Sequence, residues 1–110
     1  MALAVTALAS GADEDTSSSA TSAPISPSGN ALVVCDVLNL NNDFSSPPNT
    51  PTVSGNGLTW VQVATVTYAD YGSGDLLRLT RFRAMGASPS SGAVTITCSA
   101  AQGLIAYSIY

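Results

Sequence analysis

The stretch "NALVVCDVLNL", residues 30–40, decides how this chain folds. Val33, Cys35 and Val37 lie on one parity, and Leu32, Val34, Leu38 and Leu40 on the other. A strand with one wet face alternates apolar and polar residues, whereas a run that is apolar on both parities belongs inside a sheet. The spacing therefore predicts a central β-strand. No segment carries the 3.6-residue apolar period of an amphipathic helix, so an all-β chain is expected.

Outward from that strand, β-branched and aromatic runs alternate with turn-forming clusters. "LAVTAL" (3–8) reads as a first strand. Residues 9–23, centred on "GADEDTSSSATSA", are too polar to cover a core and read as a flexible arm or loop, with room for a short edge strand near "ATSAPI". Residues 41–57, rich in Pro and Asn, read as one long loop. "LTWVQVATVTY" (58–68), "LLRLTRFRAMG" (76–86), "GAVTITCSA" (92–100) and "GLIAYSIY" (103–110) complete the set. About seven or eight strands with Gly, Pro and Asn turns predict one domain over 1–110, an antiparallel, jelly-roll-like β-sandwich, with a small closed barrel as the alternative. The expected core is Val33, Cys35, Val37, Trp60, Leu79, Val94, Ile96 and Ile105.

Charge sets the functional limits. Seven acidic and three basic residues give a net charge of −4. Such a surface repels phosphate backbones, and nucleic acid is not an expected partner. Charged residues make up only 9% of the chain, against roughly 25% in ordinary soluble domains. A chain with so little charge is expected to live packed against neighbours. No run of 18 apolar residues is present, so no membrane-spanning helix is expected. "MALAVTALASGA" has a faint signal-peptide character but lacks a positive first segment, and reads equally well as a strand. Cys35 and Cys98 sit in apolar strand contexts and are expected to be unbridged thiols.

The chain offers little for catalysis. It has no histidine, hence no ordinary general base or zinc ligand. Its serines lie in no nucleophile-elbow motif, and no base is at hand to activate either cysteine. Asp36, Asp70 and Asp75 are the only candidates for a carboxylate pair of the glycosidase kind, and nothing around them marks a cleft. "DED" (13–15) lacks the glycine and alternating oxygens of a calcium loop, and "GSG" (72–74) lacks the lysine of a phosphate loop. A non-enzyme without cofactor or metal is expected.

The chain's only cations, Arg78, Arg81 and Arg83, lie within one strand. Strict alternation from Leu77 and Leu79 turns Arg81 inward, where an unpaired guanidinium is costly. A bulge, an exposed strand end or an internal carboxylate resolves this, and Asp36, Asp70 and Asp75 are the candidate partners for Arg81. Arg78 and Arg83 are then expected at an interface, because arginine's planar fork suits desolvated pairing. Phe44, alone in its polar loop, is expected either as an anchor for a neighbour or as a cap on the domain's own core.

Five short motifs carry a resemblance: Gly57-Leu58-Thr59-Trp60, Arg78-Leu79-Thr80, "RAMGASP" from Arg83 to Pro89, Val94 to Thr97, and Ala106 to Ile109. In these the chain resembles a family of small phage virion β-sandwich domains that includes the decoration, or cement, proteins of tailed-phage capsids. The resemblance covers residues 50–110, and "TSAPISPSGNALVV" looks like the same family's lead-in. Arg81 departs from it, standing where the family has an apolar residue. The resemblance implies a protein made in the host cytoplasm that binds the major capsid protein on the capsid exterior, as a homotrimer. The alternative is a tail-associated receptor- or carbohydrate-binding module, with Trp60, Tyr68 and Tyr71 available for stacking on sugars.

Overall fold

The computed structural model describes residues 4–43, 45–70 and 72–110. Seven antiparallel strands make a sandwich-like all-β fold: β1 (Ala9–Asp13), β2 (Ser17–Thr21), β3 (Val33–Asn41), β4 (Thr52–Gly55), β5 (Val61–Ala69), β6 (Leu76–Ala84) and β7 (Val94–Ile109). β7 belongs to both layers. Its second half lies between β1 and β3, in the order β1-β7-β3-β6-β5, while its first half lies between β2 and β4. The expected central strand is β3, flanked by β6 and β7.

The core forms between the layers. Val33, Cys35 and Val37 of β3, Phe82 of β6, and Ile105 and Ile109 face Val94, Ile96 and Cys98 of the other half of β7, with Ala20 of β2 and Ile25. Six of the eight expected core residues are buried. Trp60 is partly buried at the margin, and Leu79 is 42% exposed. The reason is parity: Thr80, Phe82 and Ala84 take the inward positions of β6, which turns Leu79, Arg81 and Arg83 outward. The β3–β6 register runs unbroken from Val33↔Ala84 to Leu40↔Leu77. The bulge lies instead in β5, between Gln62 and Ala64, opposite Arg81.

Three further expectations are corrected. Residues 9–23 hold β1 and β2, because strand pairing uses backbone groups that "SGAD" and "SSSAT" supply as well as any apolar run. "LAVTAL" is no strand over its described residues, although Leu8 N–H still donates to the Ile109 carbonyl at 2.8 Å. The 41–57 loop is interrupted by β4, and its Pro48 and Pro51 are fully buried.

"GAVTITCSA" and "GLIAYSIY" form one strand, not two. Ser17 pairs with Gln102 and Ser19 with Thr97, so the Cys98–Ala101 segment of β7 bulges away from β2. A second slip separates Leu40↔Leu104 from Asn41↔Gln102. Gln102, 1% exposed, turns inward at this kink. Its Nε2 donates to the carbonyls of Ala100 and Ala101 and to Asn41 Oδ1 and Asn49 Oδ1, the last two at 2.9 Å. Its Oε1 accepts from Asn39 Nδ2 at 2.8 Å, and that amide also donates to the Asn49 carbonyl. One amide therefore ties the kink to β3 and to the loop after it. Gln102→Leu is close in volume but leaves the buried Asn39 and the half-buried Asn41 and Asn49 each short of a hydrogen bond. We expect it to lower the unfolding free energy by about 1–3 kcal/mol, read by urea denaturation, with no change in the wild-type far-UV spectrum.

Candidate interaction surface

The five-stranded layer has two faces. The inner one covers the core; the outer one meets no second layer. Register places its side chains in cross-strand rows. Leu104, Leu40, Leu77 and Tyr68 form one row, and Ala106, Leu38, Leu79 and Val66 the next. Then come Ser108, Asp36, Arg81 and Ala64, followed by Tyr110, Val34, Arg83 and Val61. The first two rows are apolar across four strands, and Val66 is 54% and Tyr68 44% exposed. The two rows together make this face the candidate interaction surface. Sequence reading missed it by assigning Leu79 to the core; the leucines on the second parity of β3 were its signal.

The third row is held by charge. Arg81 Nε and Nη2 donate to Asp36 Oδ1 and Oδ2, both at 2.7 Å, and Tyr110 Oη donates to Oδ2 at 2.8 Å. Of the three candidate carboxylates for Arg81, Asp36 is the partner, and this is the one ion pair among the described residues. The fork geometry is the strong form of this contact. The Arg81 hydrogen bonds hold the Asp36 carboxyl below the usual carboxylate range, with Tyr110 assisting against partial burial. The hydrogen bond to Asp36 in turn raises the Tyr110 phenol above its ordinary value.

The other sequence-derived residues are placed separately. Arg78 shares the inward parity and grips the loop: its Nε donates to the Pro48 carbonyl at 2.8 Å and its Nη1 to Thr65 Oγ1. Arg83 is exposed on the outer face and makes no side-chain hydrogen bond among the described residues. Phe44 and Tyr71 lie outside the described residues. Trp60 is partly buried and donates its indole N–H to the Gly55 carbonyl at 3.3 Å. Tyr68 stands near the far end of β5, about 27 Å along the strand from Trp60, so the two do not form a shared stacking platform. Asp70 accepts from Ser73 at the β5–β6 turn, away from Asp36. An apolar groove of about 620 Å³ lies beside Val5, Leu32 and Tyr110, at the margin of the same layer.

Comparison with family models, with curated proteins and with solved structures finds no match.

Two outcomes follow. Asp36 has a lower pKa folded than unfolded, so its contribution is complete above the ordinary carboxylate pKa of about 4. It is lost as pH falls through the folded value. Asp43, held low by Ser46, acts in the same direction. Denaturant titrations at a series of pH values should therefore show a shallower acid limb for Asp36→Asn than for wild type. The cysteines give the second test. Burial, helped by the neighbouring Asp36 charge, pushes the Cys35 thiol up to about 12, and burial also raises Cys98. Both are free and buried. Mass spectrometry should find neither alkylated by iodoacetamide at pH 8 in native protein, and both alkylated in denaturant.

Proposed function

We propose that this protein is a non-enzymatic structural protein of a phage virion, which decorates the outside of the major capsid shell and stabilises it. The outer face of the β1-β7-β3-β6-β5 layer carries the proposal: two apolar rows across four strands, on a chain with only 9% charged residues. An isolated protein keeps such a face from aggregating by charge, and this one spends little on it. The motifs between Gly57 and Ile109 direct the reading to phage capsids. Apolar burial supplies the clamp and, being non-directional, suits a surface shared by neighbouring shell subunits. The Asp36–Arg81–Tyr110 cluster borders the apolar rows and sets a polar rim, as interfaces commonly have.

Purified capsids lacking the protein provide the assay. Wild-type protein should co-sediment with them and raise their melting temperature, at hundreds of copies per particle. Leu79→Lys combined with Val66→Lys should weaken that binding at least tenfold, about 1.4 kcal/mol or more, while the isolated domain keeps its spectrum. Equal binding by the variant removes the outer face from the function. Glycan binding without capsid binding moves the protein to the tail-module reading.

A further inference from the structure

Among the described residues, β5 is the one long edge strand that carries no charge, no proline and no cover. Each of its nine residues is exposed, and it pairs only with β6. Its sequence, "VQVATVTYA", contains no charge, no proline and no glycine. Natural edge strands are kept short, charged, bulged or covered, because their unpaired backbone groups recruit other strands. The other edges follow that rule. β1 contains Gly11 and Asp13 and runs into Glu14 and Asp15; β2 is almost all serine and threonine; β4 has four residues and follows Pro51. β5 has one bulge, and the residue at it, Val63, is apolar and 53% exposed. A segment of this composition left bare is an association site.

We propose that β5 pairs edge to edge, antiparallel, with β5 of a second copy of this chain, about a two-fold axis near Thr65. Charge selects the second copy as occupant. The chain carries a net charge of −4, so two copies repel over most of their surfaces. The β5–β6 ribbon is the exception. β5 is neutral, and all three arginines stand beside it on β6. Antiparallel pairing also brings the acidic turn that follows β5, with Asp70 and Asp75, toward the start of the partner's β5. There Val61 pairs with Arg83, the arginine without a side-chain hydrogen bond among the described residues. The match occurs twice by symmetry, as an isologous contact requires.

Area sets the strength. The edge is about 30 Å long, and the contact is smaller than the roughly 800 Å² per partner of a stable complex. The pair therefore forms reversibly at high concentration and is reinforced where copies are gathered. It uses the strand's edge, so it does not depend on the outer face that binds the shell in the reading above.

Sedimentation velocity over a wide concentration range, with hydrogen exchange on the same samples, tests the pairing. We expect a monomer–dimer equilibrium, with amides of 61–69 slowing as dimer forms. In the proposed register Val63 faces Thr67 of the partner. Val63→Lys with Thr67→Lys sets like charges opposite each other and should weaken association at least tenfold. Val63→Lys with Thr67→Glu should restore it. A monomer at all concentrations, a trimer, or unchanged dimerisation of the double-lysine protein overturns the proposal. If either variant fails to fold, the concentration dependence of exchange in 61–69 of the wild type decides alone, and its absence overturns the pairing. Protection of β5 that appears only on capsids assigns the edge to a shell strand; that overturns the pairing and leaves the decoration reading standing. Dimers that never bind capsids give the converse.

Discussion

The Gln102 side chain is the constraint on which the two layers depend. β7 serves both layers, so it has to change direction without giving up its pairing. A kink takes carbonyls away from their strand partners, and a carbonyl left without a donor is destabilising wherever it is shielded from water. One primary amide at the kink supplies donors to Ala100 and Ala101 and reaches Asn41 and Asn49 as well. The network makes the long loop after β3 part of the interior, which is why Pro48 and Pro51 are fully buried in a segment that composition marks as exposed. From that loop the Pro48 carbonyl receives Arg78, and Arg78 reaches Thr65 on β5. A line of polar contacts thus runs from the kink to the outermost strand.

A second consequence concerns width. The layer built on β2, β4 and the first half of β7 has three strands, and the layer beneath it has five. β5 therefore gains nothing from the core. It is held by the β6 ladder, by the Thr65–Thr80 hydroxyl pair at 2.9 Å and by Arg78. The structure joins a tightly packed half, with Cys35, Val37, Val94 and Ile96 at 0% exposure, to an outermost strand, β5, that stays wet on both faces.

The strands rich in β-branched residues were legible in the sequence. β6 lies within its expected stretch, and β3 and β5 each run one residue past the expected end, because apolar patterning was strong there. β1 and β2 were hidden, since a serine-rich segment reports no burial although its backbone pairs fully. The continuity of β7 was hidden too: "SAAQG" reads as a break, and only the inward glutamine shows that pairing resumes in step. The parity of β6 was misread at Leu79 because Thr80 is the buried residue, its hydroxyl satisfied by Thr65. The choice of Asp36 for Arg81 followed from register, which no local pattern contains. The apolar outer face needed that register as well, since its rows join residues far apart in sequence.

The pairing scheme also dictates an order of assembly. β1, β2, β3 and β4 all pair with β7, the last of the seven strands along the chain. During synthesis only β3, β6 and β5 have partners already made. The first two strands wait through most of translation before their ladder exists, and closing such long loops slows folding. The nascent chain is therefore a three-stranded β3-β6-β5 sheet with both faces bare, bounded on one side by uncharged β5 and on the other by the unpaired backbone edge of β3. Its vulnerability to chaperones, proteases and aggregation is concentrated in the interval before β7 arrives and closes both layers at once.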